Sequence, residues 1–243
     1  MSVVSLLLFF FFLSLIFSIA KASVPRSATF KYVIAGEFSP YVVEENATFA
    51  LGTDGNLVLA EADGSIVWQS NTAKKGVVGF DLLPNGNMVL YDSKGHFVWQ
   101  SFNYPTDTLL VGQALRVVGG VNRLVSRKSQ KENVSGPYSL ALEPKDLSMY
   151  YNSPGPPVVY FTSSQWGIQQ GSIEYVLLKS DPETYEITLE YHVANSSSAP
   201  RRLLLGKPKH NSTSSMLRLE IDGNLKIYTY NDKVDGMMGM HGK

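Results

Sequence analysis

The chain has 243 residues, 44% of them apolar, with 13 Tyr and 12 Phe; that is enough for one large domain or two ordinary ones and excludes a disordered chain. Lys plus Arg and Asp plus Glu balance at 21 each, so nothing in the charge suggests an electrostatic grip on nucleic acid or an anionic membrane, while a neutral ligand such as a sugar stays open. Cysteine is absent, which excludes zinc–thiolate sites, thiol catalysis and redox roles and leaves core packing and sheet pairing to hold the fold.

Residues 3–20 (VVSLLLFFFFLSLIFSIA) are almost continuously apolar and run into Ala20-Lys21-Ala22, a small-x-small cleavage pattern. This predicts a secretory signal peptide over 1–22. The competing reading is an uncleaved anchor helix, because the run nears spanning length and no Lys or Arg precedes it. Lys21 is the only charge in the segment, so cleavage leaves 20 basic against 21 acidic residues, a net of −1. No later stretch could span a bilayer as a helix, so no membrane contact is expected after cleavage. Four glycosylation sequons, at Asn46, Asn133, Asn195 and Asn211, fit the same reading and predict an extracellular glycoprotein.

Beyond a short leader over 23–31, Phe30–Tyr32 and Tyr41–Val43 read as strands around a turn at Gly36–Pro40. Then comes the stretch that dominates the chain. Phe49–Ser70 (FALGTDGNLVLAEADGSIVWQS) and Phe80–Ser101 (FDLLPNGNMVLYDSKGHFVWQS) superimpose without a gap, taking Asn56 to Asn87 and Trp68 to Trp99, with half the positions identical. Each copy reads as strand, Asp-Gly or Asn-Gly turn, strand, second turn, and a third strand ending Val-Trp-Gln-Ser. Such turns between alternating apolar runs are strong hairpin signals, since both central residues need positive φ. One copy is a small meander that cannot bury its own apolar face, so copies must pack together.

After the repeat, Pro105 blocks a central strand and Thr106-Asp107 favours a turn. Leu115–Val118 and Arg123–Ser126 read as a hairpin around Gly119-Gly120, and 126–136 as an exposed loop. SLALEPKDLSMYY (139–151) resembles a worn copy of the repeat. Val158–Phe161, Tyr175–Leu178 and Tyr185–Tyr191 read as strands, and MLRLEIDGNLKIYTY (216–230) as a further copy of the hairpin. The tail, 232–243, shows no strand or helix pattern and reads as frayed and disordered. With no convincing helix after residue 22, the pattern predicts an all-β protein.

The repeated DGNLVL…G-x-VWQS, followed by WQSFNYPTDTLLVGQ, resembles the plant bulb-type (monocot mannose-binding, curculin-like) lectin domain. The Phe-x-Tyr-Pro-Thr-Asp-Thr-Leu-Leu run is similar to S-locus-type glycoproteins and receptor-kinase ectodomains. FKYVIAGEFSPYVVEENATFA looks most like the epidermis-specific secreted glycoproteins. The resemblance covers 28–145 well and 146–231 weakly. It implies a β-prism II: three four-stranded sheets with pseudo-threefold symmetry, one per repeat, with tryptophans meeting at the axis. The resulting expectation is a signal peptide (1–22), a bulb-type lectin domain (28–145), a second, degenerate lectin-like β domain (146–231), complete or incomplete, and a disordered tail (232–243).

Sugar-binding members of the family carry Gln-x-Asp-x-Asn-x-Val-x-Tyr. The spacing of two puts the five side chains on one sheet face: polar groups for hydroxyls, Val against the apolar ring carbons, Tyr at the rim. This chain keeps the motif in pieces. The first copy has Gly52, Asp54, Asn56, Val58 and Ala60. The second has Leu83, Asn85, Asn87, Val89 and Tyr91, the most complete of the three. The late copy has Glu220, Asp222, Asn224, Lys226 and Tyr228, with Lys in place of the apolar contact. Each lost hydrogen-bonding partner costs on the order of 1–3 kcal/mol. One reading is retained binding of mannose-containing glycans, with no cofactor or metal. The other is that the Asp-Gly-Asn turns persist for their backbone chemistry, in a non-sugar-binding interaction glycoprotein that contacts cell-wall glycoproteins in the apoplast.

Catalysis is not expected. His96, His210 and His241 fall in a turn, a loop and the tail, and His192 at a strand end. No nucleophile elbow, zinc-protease helix or phosphate-cradling loop occurs. Glu186 and Glu190 share a strand face with Thr188 between them, which reads as a solvated face rather than an acid/base pair.

Overall fold

The structure, a computed structural model, describes residues 46–129, 134–152, 154–163, 171–197, 199–208, 215–231 and 239–242. The signal-peptide segment and the strands read at Phe30–Tyr32 and Tyr41–Val43 lie outside them. The strands of the described residues are joined by turns and loops, with a 3-10 turn at Ser101–Asn103. It divides into two compact units, the first holding 46–80 and Leu90–Trp99 and the second Asp81–Val89 and the described residues from Gln100 onward.

The repeat builds two three-stranded meanders. The first copy is β1 (Thr48–Leu51), β2 (Leu57–Ala60) and β3 (Ile66–Gln69), ordered β1-β2-β3. The second is β4 (Val77–Leu82), β5 (Met88–Asp92) and β6 (Phe97–Gln100), ordered β4-β5-β6, and the dividing line between the units runs through β4 and β5. Gly55 and Gly86 sit at φ +84°, as the hairpin reading requires. Within the first unit, Leu57 and Leu59 alternate inward and meet Val67, Trp68 and Trp99, all less than 10% exposed. The Trp68 and Trp99 rings pack edge to face, 5.7 Å between centroids.

The second unit contains three four-stranded sheets. Its strands are β7 (Thr108–Leu110), β8 (Ala114–Arg116), β9 (Arg123–Arg127), β10 (Ser135–Leu142), β11 (Leu147–Tyr151), β12 (Val158–Thr162), β13 (Ile173–Ser180), β14 (Ile187–Val193), β15 (Arg201–Gly206), β16 (Ser215–Leu219), β17 (Leu225–Asn231) and β18 (Gly239–Gly242). The sheets run β12-β11-β10-β9, β15-β14-β13-β8 and β18-β17-β16-β7. Three successive short strands, β7, β8 and β9, thus each supply the fourth strand of a different sheet. Leucines from all three sheets, among them Leu109, Leu115, Leu124, Leu142, Leu178 and Leu217, share one core. This is the β-prism II arrangement.

Several sequence expectations change here. Among the described residues the three four-stranded sheets are built by 108–242, whereas the resemblance had set the prism over 28–145. The boundary expected at 145/146 falls in the turn between β10 and β11, which pair directly through Leu142 and Leu147. Leu115–Val118 and Arg123–Ser126 do not pair as a hairpin: β8 pairs with β13 and β9 with β10, because each fills a separate sheet edge. Gly239–Gly242 is a strand paired with β17, not a frayed end, since an edge strand needs backbone partners and no apolar alternation. The strand β15 also escaped the sequence pattern; it pairs with β14.

Glu190 is not on a solvated face. It is 4% exposed, with Arg202 Nε at 2.8 Å and Lys179 Nζ at 3.2 Å from its Oε1. The strands on either side of β14 bring these two cations over the carboxylate. Glu186 stays half-exposed beside Lys207, at 3.8 Å.

Candidate functional site

The three motif copies have different surroundings. In the first, the Asp54 Oδ1 accepts the Asn56 N–H at 3.0 Å, closing the turn. Asn56 itself is 8% exposed. Its Nδ2 donates to Gln69 Oε1 at 2.8 Å, and its Oδ1 accepts from Ser70 Oγ and the Thr72 N–H, both at 3.1 Å. Ser70 Oγ accepts the Leu57 N–H at 2.9 Å. The asparagine is therefore the centre of a polar knot that joins the turn to the third strand. Gly52 and Asp54 are exposed, and Val58 and Ala60 are half-buried.

The second copy repeats the knot. Asn85 Oδ1 accepts the Asn87 N–H at 3.1 Å. Asn87 Nδ2 donates to Gln100 Oε1 at 2.9 Å, and its Oδ1 accepts from Ser101 Oγ and the Phe102 N–H, both at 3.2 Å. Asn87 is 4% exposed and Val89 1%, so neither offers a surface to a ligand. Asn85 is exposed and Leu83 half-buried. Tyr91 is half-buried in the first unit, its hydroxyl so close over Gly79 that a Cβ there would fall 2.5 Å away. Buried polar groups with every bond made are costly to disturb. Asn87→Ala is expected to lower stability by about 1–3 kcal/mol, by stranding Gln100, Ser101 and the Phe102 N–H. A urea midpoint within error of the unsubstituted protein would contradict it.

The third copy lacks the Gln-Ser pair and its asparagine is free of the knot. Asp222 and Asn224 are exposed at the β16–β17 turn. Asp222 Oδ1 accepts the Asn224 N–H at 3.0 Å, and its Oδ2 accepts from Asn224 Nδ2 at 2.8 Å. Lys226 Nζ lies 3.9 Å from the same carboxylate. The ends of the motif also meet: the Tyr228 hydroxyl donates to Glu220 Oε1 at 2.5 Å. Burial, with the Glu220 bond added, pushes the Tyr228 hydroxyl up to about 12, while the Asn224 N–H holds the Asp222 carboxyl below its ordinary 3.8. Only here do the five places gather into a cluster with polar groups turned to solvent.

Sequence reasoning missed Gln69, Ser70, Gln100 and Ser101 as partners of the asparagines. The signal was present: Gln-Ser stands at the same offset after Asp54-Gly55-Asn56 and after Asn85-Gly86-Asn87. It also missed Asp107, which is 3% exposed. Its Oδ2 accepts from Arg127 Nε at 2.7 Å and lies 3.9 Å from Arg218 Nε, while its Oδ1 accepts from Thr108 Oγ1 at 2.8 Å. The Pro-Thr-Asp-Thr run thereby clamps β7, β9 and β16.

Of the sequons, Asn46 and Asn195 are exposed in turns; Asn133 and Asn211 lie outside the described residues. His96 sits in a turn, 3.2 Å from Asp92, and His192 stacks on Tyr175 at 4.1 Å. Among the described residues no group of three or more His, Asp or Glu side chains could hold a metal ion, and no helix is long and apolar enough to cross a membrane.

A family profile described as D-mannose binding lectin matches residues 34–131. That stretch is similar to bulb-type lectin domains. The chain is 52% identical over 203 residues to the epidermis-specific secreted glycoprotein EP1 of Daucus carota, covering 79% of this chain and 51% of that one. It is 50% identical to the EP1-like glycoprotein 2 of Arabidopsis thaliana, over 77% of this chain and 45% of that one. A putative receptor protein kinase of Zea mays, ZmPK1, is 33% identical over 76% of this chain and 22% of its own length. The chain spans about half the length of these two glycoprotein relatives.

Proposed function

We propose that this protein is a secreted, lectin-type glycoprotein of the apoplast or cell wall, released by cleavage of a signal peptide over 1–22. Its contact with mannose-type carbohydrate is confined to the Glu220–Tyr228 copy. One contrast carries the reading: Asn56 and Asn87 are buried and spent within their knots, whereas Asp222 and Asn224 face solvent. Asp222 offers an ionised acceptor and Asn224 an amide, the groups that hydroxyls need. Lys226, in place of valine, gives up an apolar contact and keeps the site weak.

Calorimetric titration of the secreted protein with mannose tests this. Saturable binding is expected, weakened about tenfold or more in Asn224→Ala and unchanged in unfolding midpoint, because the residue is exposed. Binding should stay level from about pH 7 to about pH 5, where a carboxyl held below 3.8 is ionised, and fall at lower pH as the carboxyl takes up a proton. No saturable binding, or binding indifferent to Asn224→Ala, overturns the assignment.

A second reading is favoured by the Lys226–Asp222 and Tyr228–Glu220 contacts, which occupy part of the cluster internally. In it the protein is an interaction glycoprotein that contacts cell-wall glycoproteins. Release from wall material by salt but not by free sugar would support that reading; release by sugar supports the lectin.

A further inference from the structure

The Asp222–Asn224 turn has an aromatic neighbour that the lectin motif does not account for. On β10 and β11, Leu142, Leu140 and Tyr138 form one inward row, and Leu147, Met149 and Tyr151 the row opposite, with Tyr138 paired to Tyr151. The leucines are at most 2% exposed. The rows end in tyrosines where the core opens to solvent. A register shift between Met149 and Tyr150 then leaves Tyr160 unpaired on β12, and bulges of this kind re-aim a side chain.

The Tyr138 and Tyr151 rings are 5.3 Å apart, and those of Tyr138 and Tyr160 are 6.1 Å apart. Tyr160 donates its hydroxyl to the Gly223 carbonyl at 2.7 Å, tying the rings to the turn. Gly223 is at φ +80°, and a Cβ there would fall 2.7 Å from the Tyr138 ring, so only glycine lets the turn lie against it. Capping a core does not need this much open aromatic surface: Tyr151 is 40% exposed and Tyr160 46%, with Val158 at 56% beside them.

We infer that the tyrosines of this sheet and the Asp222–Asn224 turn form one continuous platform for a linear chain of neutral hexopyranoses. A pyranose has an apolar face of C–H groups and a polar rim. The exposed rings of Tyr151 and Tyr160 take the face, and Asp222 and Asn224 take rim hydroxyls of the adjoining residue. Asp222 stays ionised, its side chain half-exposed with Lys226 3.9 Å away. A carboxylated glycan would bring a like charge against it. The inference rests on the proposed carbohydrate contact at the turn and extends it to a second, aromatic subsite.

The test is calorimetry on the secreted protein with mannose, with linear mannose oligomers of two to five residues, and with galacturonate oligomers of the same lengths. Affinity is expected to rise with neutral chain length, by about tenfold from mannose to the longest oligomer. Tyr160→Ala and Tyr151→Ala should remove that gain and leave the affinity for mannose unchanged. Tyr160→Phe, which keeps the ring and loses only the Gly223 bond, should retain most of it, and serves if the alanine variants fold poorly. The inference is overturned if the longest neutral oligomer binds no tighter than mannose, if galacturonate oligomers bind as well, or if both alanine variants keep the gain. Tyrosine-dependent binding of oligomers without measurable binding of mannose would uphold the platform while sinking the monosaccharide site.

Discussion

Asp107→Ala is expected to lower the stability of the second unit by about 3 kcal/mol. The carboxylate is 3% exposed, and it holds Arg127 and Arg218, whose side chains are 13% and 14% exposed. Alanine would take this carboxylate away from two largely buried guanidinium groups, the costly half of breaking a buried pair. The Asp107 backbone carbonyl accepts the Leu219 N–H at 2.8 Å, a bond that survives the substitution, so the loss belongs to the side chain. Asp107→Asn should cost less, because an amide oxygen still accepts from Thr108. Urea unfolding of both variants checks this. An alanine midpoint shifted no more than that of an exposed substitution would show that the ion pairs do not clamp the three strands.

Trp99→Ala is expected to cost about 3–5 kcal/mol in the first unit. Trp99 is 9% exposed and Trp68 7%, and their edge-to-face contact adds to the area each removes from water. The first unit is the smaller of the two and has few buried side chains besides these rings, among them Leu57, Leu59 and Val67, to fill the space left. Trp99→Phe keeps most of the volume and should cost markedly less. A thermal midpoint within a degree or two of the unsubstituted protein would defeat the assignment of these rings to the core.

The repeat was the legible part of the fold. Asp54-Gly55 and Asn85-Gly86 announce hairpins through local φ requirements, and the alternation of Leu57, Leu59 and Trp68 announces the buried face. These are short-range signals and they survive folding unchanged. The distribution of β7, β8 and β9 over three sheets was not legible. Each is three to five residues long, and its partner is set by an open edge elsewhere in the chain. Gly119-Gly120 looked like a hairpin turn because nothing local distinguishes a turn within a sheet from one between sheets.

The site was legible in outline and misweighted in detail. The motif places were found, but the second copy, with Asn87, Val89 and Tyr91, looked the most complete. Sequence shows which side chain stands at a place, not whether a neighbour has already claimed it. Gln100 and Ser101 claim Asn87, and only burial reveals that Val89 is closed off. The third copy has Lys226 in place of the apolar contact, yet without a Gln-Ser pair Asn224 stays at the surface. Asp107 was unreadable for a related reason: its arginines stand 20 and 111 positions further along.

The pairing of β7 with β16, which sets Leu109 against Leu217, bears on the order in which the molecule can form. On the ribosome, β7 emerges about a hundred residues before the strand it pairs with. Until β16 follows, Leu109 has no sheet partner and the Asp107 carboxylate can meet Arg127 but not Arg218, so the closing of that sheet waits on a distant strand. Contacts so distant in sequence carry a large loop-closure entropy and come late in folding. The first copy of the repeat, whose strands all lie within 48–69, can pair as it is made, so the two halves of the chain differ in when their strands find partners.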